Sequence, residues 1–317
     1  MRIRVPTLGG RGDIAEYADD HMQSSKHEVR RVGSHREYRS DRLGRIAELI
    51  AHIDDESLIE RLVATLGALT PIDCSLALAF RREARPLLLF DDTARTWREN
   101  KVSEYLSAAY LLDPFYIAAS DGIAPGVYRL GELAPDGFSD SAYYRAYYER
   151  SHVEEEICHL VPLNGRVTIA VSLERHNGSE RFSDADIERH RSAAPIVRAL
   201  LRTHWRLMGR VGSAPAPDAK SAVGASIQRA YRSFGSSVLT PRECDVVRLL
   251  LGGHSTRSLA QRLGISPGTA KVHRERIYAK LDISLQSELF HLFIDSVSSL
   301  PEHADGDPLA HYVRQRS

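Results

Sequence analysis

Two Ser/Thr-Pro pairs and two glycine stops constrain the stretch from Val238 to Val297 more tightly than anything else in the chain. Thr240-Pro241 and Ser266-Pro267 each set a hydroxyl at an N-cap ahead of a proline at the first helical position, where its missing N–H and fixed φ do no harm. Gly252-Gly253 and Gly264 then end helical runs, so the spacing predicts four short helices separated by three compact breaks. The first buries Val246, Val247, Leu249, Leu250 and Leu251. The second restarts at His254-Ser255-Thr256, carries Leu259, Ala260 and Leu263 at helical spacing, and is sealed at its corner by Ile265. The third, Gly268 to Leu281, turns Ala270, Ile277 and Leu281 inward and leaves Lys271, Arg274, Arg276 and Lys280 outward against one acid, Glu275. That pattern is a helix-turn-helix.

In such a motif the second helix lies in the major groove, its first turns reach base edges, and basic groups grip phosphates. LTPRE, S-x-x-x-L-A-x-R-L-G-I-S, T-A-K-x-H, K-L-x-I-S and S-E-L together resemble the LuxR-type DNA-binding domain of bacterial transcription regulators, over about sixty residues. The resemblance implies that Lys271, Val272 and Glu275 reach bases and that Thr269, His273 and Arg274 contact the backbone or support the helix. Double-stranded DNA is the implied partner, with RNA polymerase as a further one. Two positions depart from the family: Ser258 stands where an acid is usual, and Leu285-Gln286 replaces a polar pair. A small helical bundle that binds protein is the competing use of the same pattern.

A chain of 317 residues accommodates about two domains. Its 42 basic and 42 acidic residues cancel, so any attraction for nucleic acid must be local. Cys74, Cys158 and Cys244 are scattered and lack paired spacing, which argues against disulfides and zinc sites. No apolar run reaches the length of a membrane span and the start lacks a signal-peptide core, so a cytoplasmic protein without membrane contact is expected. Residues 1–40 carry few periodic apolar side chains and read as a mobile tail, 209–224 (GRVGSAPAPDAKSAVG from Gly209) as a linker, and 301–317 as a second tail around a DNA-binding domain at 225–300.

Residues 41–208 read as an α+β sensory domain, an antiparallel sheet with flanking helices, ahead of an all-α four-helix DNA reader. Two amphipathic helices come first, one striped by Leu43, Ile46, Leu49 and Ile50, the other by Leu58, Ile59, Leu62, Val63 and Leu66. Cys74 to Phe80 alternates with period two and pairs with Pro86 to Phe90. Asn164-Gly165 marks a second hairpin, whose return strand sets Val167, Ile169, Val171 and Leu173 on one face and Thr168, Ala170, Ser172 and Glu174 on the other. The pattern predicts a one-sided sheet. Ser183 to Asp186 caps a closing helix that runs to about Met208 and contains Pro195. In element order the domain resembles the PAS/GAF-like sensory fold.

Eight of the 13 tyrosines lie between Tyr105 and Tyr148, with Tyr143/Tyr147 and Tyr144/Tyr148 as i,i+4 pairs. Tyrosines lining a pocket bury an apolar ligand and fix its polar groups by their hydroxyls; packed on a sheet they are only core. A small-molecule effector is therefore expected around Tyr105, Asp113, Tyr128 and Tyr144. Tyr105, Tyr110 and Asp113-Pro114 also resemble part of the acyl-homoserine-lactone-binding signature of quorum-sensing LuxR proteins, which implies that Asp113 accepts a ligand amide hydrogen; Tyr128 stands where a tryptophan is usual. A phosphorylated receiver is the rival input, but Thr96-Trp97-Arg98 falls where its aspartate would lie and no lysine occurs between Lys101 and Lys220. No phosphate loop, metal-ligand spacing or nucleophile elbow is present, so neither an enzyme nor a cofactor is expected. The alternative is a constitutive DNA-bound interaction module. Finally, Ser284 is expected to cap a fourth helix in which Leu289, Phe290, Leu292, Phe293 and Ile294 go nearly all the way round, and that surplus predicts a self-complementary patch and a homodimer.

Overall fold

The computed structural model describes residues 35–82, 84–92, 102–209, 227–300 and 306–316. The chain divides between Ala47 and Glu48, inside helix α1 (His35–Ala51), and every packing feature that follows lies on the C-terminal side of that division. Residues 1–34 of the expected tail lie outside the described residues, but α1 begins at His35, within it. The expected linker lies outside them too, apart from Gly209.

The two predicted hairpins form. β1 (Cys74–Arg81) pairs with β2 (Ala84–Asp91), and β4 (Val153–Asn164) with β5 (Val167–His176), with Asn164 Oδ1 accepting the N–H of both Arg166 and Val167 to close the turn. A strand missing from the sequence reading, β3 (Gly126–Arg129), adds to β4. The sheet is antiparallel throughout, in the order β2-β1-β5-β4-β3, so β5 is central. One face of β5, with Ile169, Val171 and Leu173, joins Ala77, Ala79, Ile157 and Val161 beneath α2 (Leu58–Gly67) and α4 (Asp184–Leu207). α2 contributes Leu58, Ile59, Leu62, Val63 and Leu66, each worth about 1.5–3 kcal/mol when fully buried. α4 starts on the predicted capping box of Ser183 and Asp186 and accommodates Pro195. In the stripe expected before α2, only Leu49 is buried; Leu43 and Ile50 are exposed.

The other face of the sheet is not wet. Thr168, Ala170 and Ser172 are 6%, 2% and 8% exposed, because the tyrosine-rich segment covers them with a second layer. That layer consists of a helical turn at 102–107, a tight turn Ala109–Leu112, α3 (Pro114–Ser120) and the helical stretch Ala142–Tyr144, which widens to π geometry over Arg145–Glu149. Alternation alone cannot separate this arrangement from a solvated face.

At the C-terminal end, α5 (Pro241–Leu251), α6 (Thr256–Leu263), α7 (Pro267–Leu281) and α8 (Gln286–Ser298) follow the predicted breaks. Thr240, Ser255 and Ser266 all cap as their hydroxyls suggest, and Gly264 ends α6 in the left-handed conformation at φ +64°. Ser284 does not cap α8; its N–H and that of Leu285 donate to the Glu288 carboxylate. The expected C-terminal tail instead forms α9 (Pro308–Arg316), which buries Leu309 on α8, while Asp307 accepts from the N–H groups of Gly235 and Ser237. The surplus apolar face of α8 is likewise covered. Leu289, Phe290, Phe293 and Ile294 are all buried, with Tyr231 from the helix at 227–233 and Phe234 from the turn after it set edge-on to Phe293 at 5.6 and 5.3 Å. The argument from α8 to a dimer patch therefore fails. No described helix is long and apolar enough to cross a membrane.

Candidate ligand and DNA-binding sites

Between the sheet and the tyrosine layer lies a cavity of about 490 Å³. Its floor is the second face of the central strands, where register sets Cys74 and Glu156 on either side of Glu174, and Leu76 and Cys158 on either side of Ser172. Its roof is built by the turns at 102–113 and 142–149, through Tyr105, Asp113, Tyr143, Tyr147 and Tyr148. Leu76, Leu78 and Phe80 make one end apolar, while Asp73, Asp92, Glu174 and His176 line the other.

Asp113 caps α3, accepting the Phe115 N–H at 2.8 Å, and its second oxygen accepts from the Tyr105 hydroxyl at 2.5 Å. Burial raises its pKa to about 6, against the lowering effect of those two donors. Glu156 accepts from the Tyr148 hydroxyl at 2.7 Å, and its carboxyl is held well above the usual range by burial and by the negative charges of Glu174 and Asp113. Burial and the same carboxyls push the Tyr105, Tyr143 and Tyr148 phenols up as well. At the rim, Glu174 accepts from His176 at 3.3 Å and raises the imidazole pKa.

Of the four expected ligand residues, the structure brings together Tyr105 and Asp113. Tyr144 stacks on Tyr148 at 5.3 Å and meets Phe138 edge-on at 5.8 Å, and it does not line the cavity. Tyr128 donates its hydroxyl to the Ala124 carbonyl and borders a separate depression with His159 and Arg191. The sequence reading missed Glu156, Ser172 and Glu174. They were visible only as the polar half of an alternating strand.

On the DNA reader, Thr269, Lys271, Val272 and Glu275 are exposed on α7, and His273 and Arg274 are half-buried. Arg274 donates to the Thr256 hydroxyl at 3.4 Å, and His273 Nδ1 is buried without a partner. Lys280 is exposed, as the charge pattern predicts, but it is not a free charge. It pairs at 2.7 Å with Glu243, the buried acid of the Thr240 capping box, so the free positive charge concentrates on Lys271 and Arg276, with Arg274 beside them. Burial tends to raise the Glu243 pKa, but Lys280 and the Thr240 donors hold it down at about 2. The two departures from the family pattern both have local uses: Ser258 bonds His254 Nδ1 at 2.8 Å, and the Gln286 amide donates to the Leu250 carbonyl at 2.7 Å.

The corner between α5 and α6 packs directly on the sensory domain. Asp136 accepts from the Ser255 hydroxyl at 2.5 Å and from its N–H at 3.2 Å, at the first turn of α6. Gly137 has no space for a side chain there, since a Cβ would meet Ser255 N at 2.8 Å and Gly253 O at 3.0 Å. Tyr116 and Gln228 add a hydrogen bond across the same boundary.

This combination of a capped helix-turn-helix with a basic second helix and a cavity-bearing α/β domain defines a DNA-binding regulatory protein. The family described as bacterial regulatory proteins, luxR family, matches residues 237–293. A protein of Aeromonas salmonicida described as an HTH-type transcriptional regulator in the exeN 3′ region is 32% identical over 193 residues, which cover 60% of this chain and 96% of that one. Among solved structures, the VqsR LBD domain from Pseudomonas aeruginosa is 27% identical and covers 52% of this chain and 96% of its own, with a TM-score of 0.47. Escherichia coli SdiA is 13% identical, with coverage of 83% and 99% and a TM-score of 0.38. The chain belongs to the luxR family of bacterial transcriptional regulators.

Proposed function

We propose that this regulator reads DNA through α7 and is governed by a small organic molecule held between the β-sheet and the tyrosine roof. The observation that carries the reading is the cavity itself: about 490 Å³, within the range of small-molecule sites, walled by aromatic rings and with buried carboxyls for orientation. A domain that served only to hold the reader on another protein would fill that space with side chains, since interiors pack closely. Lys271, Val272 and Glu275 are assigned to bases, and Thr269, His273 and Arg274 to phosphates and support of α7. The decisive experiment is native mass spectrometry of the full chain as purified, paired with DNA binding before and after extraction of small molecules. A retained organic molecule whose removal changes DNA affinity supports the reading. An empty protein with unchanged affinity returns the domain to an interaction module.

A further inference from the structure

The cavity is rich in acceptors and poor in positive charge. Asp113 and Glu156 are 7% and 6% exposed, and among the described residues no lysine or arginine lines the space with them. Arg175, next to Glu174 in sequence, points to the opposite face by strand alternation and is spent on the carbonyls of Pro71, Glu180 and Arg181. Among the described residues the basic groups lining it are the imidazoles of His152 and His176, and His176 sits against Glu174 at the rim. Glu156 and Glu174 are direct cross-strand partners on the same face, a placement of like charges that weakens a sheet unless something positive comes between them. Glu156 has only neutral donors, Tyr148 among them. A second, independent sign of a missing guest is Tyr147: it lines the cavity, yet its hydroxyl is buried with no hydrogen-bond partner among the described residues.

Resting on the reading that this cavity is the effector site, we propose that the effector is a cation: an amine whose ammonium group binds Glu156 beside Glu174 and whose apolar or aromatic body lies along Leu78, Phe80 and the tyrosine roof. An ammonium supplies donors to a cavity full of acceptors and neutralises buried charge that the chain leaves unbalanced. An anionic ligand meets Asp113, Glu156 and Glu174, with only the imidazoles of His152 and His176 to offset them among the described residues. The Tyr147 hydroxyl orients a polar substituent on the body.

The test uses the full chain and a matched series of 2-phenylethylamine, 2-phenylethanol and 3-phenylpropionate near neutral pH, read by thermal shift and calorimetry. The amine is expected to bind about tenfold or more tighter than the alcohol, the margin a charged hydrogen bond holds over a neutral one, and the acid not at all. Glu156→Gln keeps an acceptor for Tyr148 and should erase the preference for the amine while leaving the alcohol's affinity unchanged. If the alcohol or the acid binds as well as the amine, the cationic assignment falls and the small-molecule reading stands. If zinc ions stabilise the protein and the amine does not, with the effect lost in Cys74→Ser, the assignment is overturned in favour of a metal at Cys74, Glu174 and His176. If none of the series binds and the purified protein retains no molecule, both readings fall.

Discussion

Replacing Asp113 by asparagine tests the electrostatics of the cavity without changing its shape. Asparagine can keep its oxygen on the Phe115 N–H and turn its amide N–H to the Tyr105 oxygen, which then accepts where it had donated, but it cannot ionise. The Asp113 carboxyl titrates at about 6 instead of 3.8, so the folded protein holds its proton more tightly than the unfolded chain does. At about 1.4 kcal/mol per pH unit, that difference corresponds to roughly 3 kcal/mol. The contribution is fully present below the unfolded value near 3.8 and is lost as pH rises through about 6. Asp113→Asn should therefore gain on the parent protein across that window, by up to about 3 kcal/mol at neutral pH relative to its standing below pH 4. Denaturant unfolding of ligand-free protein, followed by tryptophan fluorescence, reports on this domain through the buried Trp205. A stability difference between variant and parent that is flat with pH would show that Asp113 is not held in the folded state as described.

The remaining predictions concern the DNA reader and its attachment. Lys271→Ala should lose specificity by about 1–3 kcal/mol at one base position, whereas Arg274→Ala should weaken operator and random DNA alike; equal losses for both variants in a competition assay would remove Lys271 from base reading. Glu243→Ala deletes the capping-box partner of Thr240 and the counter-ion of Lys280, so the helical domain should lose about 1–3 kcal/mol in calorimetry, and an unchanged melting profile would contradict the pairing. Gly137→Ala drives a Cβ into the α5–α6 corner and should undock the reader, seen as a larger radius of gyration in solution scattering with both domains still folded; an unaltered radius would mean the corner yields locally.

How far sequence reached depended on the range of the signal. Thr240-Pro241, Ser266-Pro267 and Gly264 act within one turn of backbone, and helices α5 to α7 start and stop where they indicate. Asn164 closes its hairpin by bonds to residues two and three positions on. Longer-range questions fared differently. The alternation in β5 separates Val171 from Ser172, but nothing local says whether solvent, a protein layer or a cavity lies over Ser172. The apolar girdle of α8 looked like surplus because α9, Phe234 and the sensory domain that cover it come from other parts of the chain. Tyr144 and Tyr148 share one row of a helix, yet only Tyr148 faces Glu156, since Phe138 claims the other ring.

The Asp136 carboxylate on Ser255 has a thermodynamic consequence. In a helix-turn-helix the motif's first helix crosses the sugar-phosphate backbone, and the opening turn of a helix is a natural seat for an anion. In this protein that helix is α6, and an aspartate of the sensory domain already holds its first donors. Any phosphate that needs those donors must displace Asp136, and if DNA engages them, docking and DNA binding oppose each other. Linkage makes the opposition reciprocal: whatever factor the docked state subtracts from DNA affinity, DNA subtracts from docking. An effector titration run with and without DNA should then not superimpose.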